Sequence, residues 1–219
     1  DSGRDTRPAC PVTLHAEDPM IDFYTWTTPN GRKVSILLEE LGVPYRAHAV
    51  NIGKDEQFAP DFLAIAPNNK IPAIRDDETG QTLMESGAIM LYLARKHGRF
   101  LEEGGEEWRV VEWLMWQMAG FGPILGQVHH FHFYNAGTSD YAEARFMGEA
   151  GRLYKVLNDR LTGRDFIAGT GQGAYSIADM AIWPWAARYE RQDVDLHDFP
   201  AVLAWYRRLA DRPAVQAGY

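Results

Sequence analysis

Asn68-Asn69-Lys70-Ile71-Pro72-Ala73-Ile74, followed by Met84-Glu85-Ser86-Gly87-Ala88-Ile89, decides how this chain folds. Proline at the mouth of an apolar strand removes a ladder donor and fixes its own φ, so it belongs at a strand start, an edge or a turn. A cis Ile71–Pro72 bond is the arrangement that turns the free N–H and C=O of Ile71 outward, where an extended peptide can pair with them. Glu85-Ser86 then opens a helix. Its unpaired N–H groups and the Ser86 hydroxyl can hold a carboxylate, while Glu85 can hold an ammonium. A peptide ending in a free amino acid needs that combination of charges.

The sequence on either side builds a small sheet with helices. Ile21-Asp22-Phe23-Tyr24-Thr25-Trp26 reads as a first strand, broken by the turn Thr28-Pro29-Asn30-Gly31. A helix follows, with Val34, Leu37, Leu38 and Leu41 on one face and Gly42 placed to stop it. Residues 45–50 read as a second strand, and 51–67 as a loop with a short helix around Pro60. Residues 71–75 and 82–84 predict a hairpin across Asp76-Asp77-Glu78-Thr79-Gly80, and 86–97 a helix ending at Gly98. The order is β-α-β, then β-β-α, for which one sheet with helices packed on it is the economical solution.

After Gly98 the strand signals disappear. Residues 101–107 read as a polar linker, and long helices follow. Val111, Leu114, Met115 and Met118 share a face, as do Leu153, Leu157 and Leu161, and later Val202, Trp205, Tyr206 and Leu209. Ser176-Ile177-Ala178-Asp179 has the form of a capping box, and Pro184 predicts a kink in the helix it opens. The expected fold class is therefore α+β, with one α+β domain over residues 20–99 and an all-helical domain over residues 107–219.

Composition narrows the function. With 219 residues, 46% hydrophobic content and seven tryptophans, the chain fits a globular protein with a sizeable core. No apolar run approaches the roughly 20 residues needed to cross a bilayer. A net charge of −8 disfavours nucleic acid or an anionic membrane as the main partner. The single cysteine, Cys10, excludes an internal disulfide or a CxxC pair and fits a cytoplasmic protein. Residues 1–19 carry mixed charges, three prolines and no apolar period. They read as a disordered extension or cloning remnant ahead of a natural start at Met20, so Cys10 is expected to do no chemistry.

The joints of this pattern, in this order, resemble the glutathione transferase superfamily across residues 20–219. The marks are Thr28-Pro29-Asn30-Gly31 with Lys33-Val34, Leu38-Glu39-Glu40, Gln57-Phe58, the stretch from Pro67 to Ile74, and Glu85-Ser86-Gly87-Ala88-Ile89. Gly126-Gln127-Val128-His129-His130-Phe131 and Tyr175-Ser176-Ile177-Ala178-Asp179 complete them. Within the superfamily the chain is most similar to the bacterial nu class, whose members act chiefly as glutathione-dependent disulfide-bond oxidoreductases. The resemblance implies a thioredoxin-like N-terminal domain, glutathione as co-substrate, no metal, a small disulfide or electrophile as second substrate, and a homodimer. The glycine-rich Gly169-Thr170-Gly171-Gln172-Gly173 departs from the pattern and reads as a longer turn, since the lysine of a nucleotide loop is missing.

Thr28 and Asn30 occupy the strand-to-helix turn where a thioredoxin-type enzyme would carry its cysteines. By residue type alone this is a turn with a helix cap. The resemblance makes the pair catalytic, with the thiol of bound glutathione as nucleophile. A free thiol has a pKa near ~8.5, and each unit of lowering needs about 1.4 kcal/mol of preference for the thiolate. A helix N-terminus gives about 0.3–1 kcal/mol, whereas a hydrogen bond to charged sulfur is worth roughly 1.5–3 kcal/mol. Donors at the turn therefore matter more than the dipole.

By the same resemblance Glu85 and Ser86, beside Ile71 and Pro72, anchor glutathione, and Gln57 and Lys70 reach its glycyl end. Arg145 would hold a carboxylate of a second glutathione, where residue spacing alone suggests an ion pair with Glu149 at i+4. In His129-His130-Phe131-His132-Phe133-Tyr134 neighbouring histidines point apart on a helix, which argues for cleft lining or packing rather than a metal. Tyr24, mid-strand, is expected in the core. The implied activity is disulfide reduction. A conventional transferase or peroxidase is the near alternative, and a non-catalytic glutathione-binding regulator the distant one.

Overall fold

The computed structural model describes residues 20–102 and 104–219, so the expectations for residues 1–19, Cys10 included, lie outside the described residues. Strand β1 (Ile21–Thr25) alternates as a half-covered strand should. Ile21 and Phe23 join the helix-side core, while Tyr24 belongs to a smaller cluster with Val50, Phe62, Ala66 and Ala73. β1 pairs in parallel with β2 (Tyr45–Ala49) and antiparallel with β3 (Ala73–Asp76). β3 pairs antiparallel with β4 (Thr82–Met84), giving the order β2-β1-β3-β4. The parallel pair needs a crossover, which helix α1 (Pro29–Leu41) provides. Thr28 caps that helix at its start, and Gly42, at φ 68°, ends it in the left-handed conformation.

Helices α2 (Pro60–Leu63) and α3 (Ser86–His97) complete the first half. Two short turns of tighter helix, Ile52–Lys54 and Glu56–Phe58, occupy what reads in sequence as plain loop. β3 starts at Ala73, not at residue 71, because Pro72 has no N–H to give a ladder. Tyr24 is half-buried rather than fully inward, with its ring stacked on His48 at 4.7 Å between centroids.

The second half is helical: α4 (Gly105–Trp116), α5 (Gly122–Val128), α6 (Asp140–Leu161), α7 (Ile177–Ala186), α8 (Pro200–Ala210) and α9 (Pro213–Gly218). α4 begins inside the stretch read as linker, where Glu106 and Glu107 in its first turn suit the positive end of the helix. Its buried face is Val110 and Leu114, one residue round from the expected stripe, and Met115 is 44% exposed. Leu153, Leu157 and Leu161 are buried as their spacing predicts, and so are Val202, Trp205 and Leu209, with Tyr206 half-buried. α7 continues past Pro184 to Ala186 and is buried along its whole length.

One core spans both halves, running from Phe23 and Leu37 through Ile89 and Leu114 to Leu157 and Trp205. α1 is the shared element, packed on α3 on one side and on α7 and α9 on another. Its start sits very close to the sheet. A Cβ on Gly31 would lie 2.3 Å from Thr25 Oγ1 and 2.6 Å from the Trp26 carbonyl oxygen, so only glycine lets strand and helix approach this closely.

Candidate functional site

The start of α1, the mouth of β3 and the start of α3 meet around a recess of about 170 Å³ that includes Asn30, Lys70, Ile71, Pro72, Glu85 and Ser86. Asn30, Lys70, Glu85 and Met118 also border a larger cleft of about 770 Å³, closed on its far side by the helical half. Six of the nine residues expected from sequence thus share one hollow. Thr28 caps the helix that carries Asn30 but does not line the hollow itself. Gln57 and Arg145 do not line it. Gln57 donates weakly to Asp55 at 3.5 Å, and Arg145 is exposed on α6. The ion pair expected of Arg145 is made by another residue: Glu149 accepts from Arg152 at 2.7 Å.

Thr28 has extended backbone, and its Oγ1 accepts the N–H of Gly31 at 3.3 Å. A hydroxyl that accepts through its oxygen keeps its hydrogen to donate elsewhere. Pro29 and Asn30 are the first two residues of α1. Asn30 Oδ1 accepts a hydrogen bond from Trp185 Nε1 at 3.0 Å. Indole nitrogen only donates, so the amide oxygen must face Trp185 and the NH₂ group is left for the cleft. Trp185 is wedged by two glycines of α5: a Cβ on Gly122 would stand 3.2 Å from its Nε1, and one on Gly126 3.4 Å from its ring.

The Ile71–Pro72 bond is cis. Among the described residues, none of the backbone hydrogen bonds of turns and loops involves Ile71. Glu85 stands at φ 70°, ψ 112°, a conformation that costs an ordinary residue about 1–3 kcal/mol and gathers at functional sites. Its carboxylate does not cap α3, although the residue precedes that helix directly. Ser86 is buried at the first position of α3.

Sequence reading missed three contributors to the cleft. Two are the π-helical form of Gln117–Phe121 and His129–Tyr134: the first brings Gln117 and Met118 to the cleft, and the second brings His130 and Phe131, a segment whose cleft lining was expected but whose wide turns were not. Such wide turns carry no composition signal and are common at functional sites. The third is Lys33, buried at 1% exposure, whose Nζ donates to Gln117 Oε1 at 2.7 Å. Burial pushes the Lys33 ammonium down to about 7, with the Glu85 charge acting in the opposite direction. A signal for it existed: position 33 is one turn from Asn30 and one from Leu37, on the buried side of α1. The histidines diverge as their adjacency predicts. His130 lines the cleft, His132 bonds Glu143 at 2.8 Å, and buried His129 packs on Trp185.

Two family models cover this architecture. The glutathione S-transferase N-terminal domain matches residues 27–96, and the glutathione S-transferase C-terminal domain matches residues 140–208. The disulfide-bond oxidoreductase YfcG of Escherichia coli (strain K12) is 48% identical over 201 residues, 89% of this chain and 92% of YfcG. The chain belongs to the glutathione transferase family.

Solved glutathione transferases share the shape. The enzyme from Pseudomonas putida, crystallised with one glutathione disulfide bound per subunit, superposes with a TM-score of 0.85 at 41% identity, covering 93% of this chain and 92% of that one. The one from Burkholderia graminis, with two glutathione molecules per subunit, gives 0.83 at 38% identity, covering 91% and 87%. The α+β N-terminal domain with a helical C-terminal domain is thus the glutathione transferase fold.

Proposed function

We propose that this glutathione transferase is a glutathione-dependent disulfide-bond reductase of the nu class. Glutathione binds as co-substrate in the recess. Glu85 takes its ammonium, Ser86 and the start of α3 take the neighbouring carboxylate, and Ile71 pairs with its backbone. Lys70 is the residue within the recess suited to the glycyl carboxylate. Its sulfur then lies at the start of α1, where the Asn30 amide and turn N–H groups favour the thiolate, and Thr28 serves by capping that turn, with its hydroxyl hydrogen turned to the sulfur once the tripeptide is seated. The thiolate attacks a small disulfide, and a second glutathione resolves the mixed disulfide. The observation that carries this reading is the Trp185–Asn30 hydrogen bond, which commits the amide to offer donors to the cleft. The glutathione disulfide and paired glutathiones held by the two solved relatives support room for both tripeptides. Gln57 and Arg145 enter only if their side chains reach the bound peptides.

We further propose a cytoplasmic homodimer with its domains at residues 20–99 and 107–219. Among the described residues no helix is long and apolar enough to cross a membrane. Trp108, 68% exposed, and Met115 give α4 apolar surface for a second subunit. The test is a parallel assay with hydroxyethyl disulfide, an aryl halide and an organic hydroperoxide. Turnover dominated by the disulfide is expected. Dominant activity on either of the others reassigns the enzyme, and glutathione binding without turnover on any of them makes it a binding protein.

A further inference from the structure

Lys33 has no part in the reaction as described, yet it borders the cleft, and among the described residues no carboxylate is in ion-pair contact with it. An ammonium has three N–H groups to place. One meets Gln117 Oε1 at 2.7 Å. Ser86 Oγ at 3.5 Å stands at the outer limit of useful contact, and Met118 Sδ at 3.6 Å is only a weak thioether acceptor. Among the described residues, none of its hydrogen bonds is to a carboxylate. Gln117 repeats the pattern: it is fully buried, borders the same cleft, and among the described residues no acceptor meets its Nε2. The room for that amide is built in, because a Cβ on Gly122 would fall 2.5 Å from Nε2. Two buried donor groups, one of them cationic, thus border one cleft. Such an arrangement costs stability unless an anion arrives to meet it.

We propose that Lys33 and Gln117 form an anion subsite in the cleft wall that receives the departing sulfur of the disulfide, with Lys33 as its proton donor. The inference rests on the reductase reading. Asn30 and the start of α1 serve the attacking sulfur. Exchange leaves the departing sulfur one bond further on, and Lys33 stands one turn, about 5 Å, further along the same helix face. The glutathione thiolate supplies the electron pair of the new S–S bond. The old S–S bond breaks, its pair goes to the departing sulfur, and that sulfur takes a proton from Lys33 Nζ. The amine then accepts the thiol proton of the second glutathione. That thiolate attacks the glutathione sulfur of the mixed disulfide, and the second departing sulfur takes the proton in turn. Each glutathione thiol gives one proton to the Lys33 amine and each departing sulfur removes one, so two glutathiones and a disulfide yield glutathione disulfide and two thiols.

The acidity suits the task. At about 7, Lys33 is a stronger acid than an alkyl thiol near ~8.5 and holds its proton below neutral pH, with about half of the molecules protonated at pH 7. The charged or titratable groups that face it across the cleft are Glu85 ahead of α3, Lys70 ahead of β3 and His130 in the second π-helical segment.

The test compares wild type with Lys33→Met on two disulfides. One is hydroxyethyl disulfide, whose alkyl thiolate needs a proton to depart easily. The other is a nitrobenzoate disulfide, whose aryl thiolate departs unaided. The alkyl substrate should lose about 100-fold in kcat, the aryl one less than about 3-fold, with glutathione affinity within about 3-fold of wild type. Equal losses on both, or no loss on the alkyl substrate, overturn the proposal. So does a parallel collapse of glutathione affinity, which would assign Lys33 to a carboxylate. Should Lys33→Met fail to fold, a series of disulfides on wild type decides. Rates nearly independent of the departing thiol's acidity below pH 7 support proton donation, and a steep dependence there overturns it. If wild type reduces neither disulfide, the reductase reading itself is lost and the subsite with it. Wild-type turnover with equal losses in the variant removes the subsite alone.

Discussion

A side-chain amide has an accepting face and a donating face, and only the donating face stabilises a thiolate. In this protein the choice for Asn30 is made by Trp185, a residue of the other half of the molecule. Asn30→Ala removes the donor outright and should raise the pKa of the bound glutathione thiol by about 1–2 units, the equivalent of one hydrogen bond to a charged group. Trp185→Phe keeps the ring and deletes the indole donor. The amide then gains freedom to turn its oxygen inward, and the thiol pKa should rise by roughly half a unit to one unit, less than in Asn30→Ala. Titrating the thiolate absorbance of the bound complex measures both. A Trp185→Phe curve that overlays wild type disproves the orienting role. Asn30 was legible in sequence because it sits in a turn of recognisable type. Trp185 was not, because 155 residues separate it from the amide it holds.

The helices are set by local signals wherever those signals include their caps. The Ser176 box is the clearest case. Asp179 Oδ2 accepts the N–H and the hydroxyl of Ser176 at 3.0 and 3.1 Å, while Oδ1 accepts from Ile167 N–H at 3.0 Å and Trp205 Nε1 at 2.9 Å. One carboxylate therefore starts α7 and also ties it to α8 and to the turn after α6. Asp179→Ala leaves four buried donors without an acceptor and should cost at least about 3 kcal/mol. For a chain this long, that is a fall of roughly 6–12 °C in Tm by calorimetry. A fall under about 2 °C would show that the network has other acceptors. The capping half of this arrangement follows from spacing alone. The bonds to Ile167 and Trp205 do not, since nothing local brings them to the carboxylate. The π-helical segments were equally hidden, since nothing local in them marks the extra residue; in the fold, Phe121 packs on Tyr154 and His129 on Trp185.

At the scale of the whole molecule, stability below neutral pH depends on His129. Gln192 Nε2 donates to the Trp185 carbonyl at 2.9 Å and contacts His129 Nε2 at 3.3 Å, so the imidazole is the acceptor and stays neutral. Burial pushes the His129 imidazolium down to about 4, helped by the charges of Arg191 and Arg188. Unfolding frees the ring to titrate near its usual ~6.5. The unfolded chain therefore binds the extra proton between pH 6.5 and 4, and stability falls as pH falls across that window, by up to about 3 kcal/mol from this residue. Buried Asp179, pushed up to about 6, acts in the opposite sense over the same range, so the His129 share is read as a difference: from pH 7 to 4 the denaturant midpoint should lose more, or gain less, in wild type than in His129→Gln. Equal slopes in the two proteins contradict it. The sequence by itself determined the strand and helix order, the caps, the division into an α+β part and a helical part, and the local clusters at Thr28–Asn30, Ile71–Pro72 and Glu85–Ser86. Those depend on periodicity and on groups only a few residues apart. Only the tertiary structure decided which way the Asn30 amide faces, that Lys33 is buried beside Gln117, and that Gln57 and Arg145 stand away from the cleft. The first two follow from how the helical half packs across α1, which brings Trp185 to Asn30 and Gln117 to Lys33, and in every case a side chain's burial and partners depend on neighbours that linear order does not bring together.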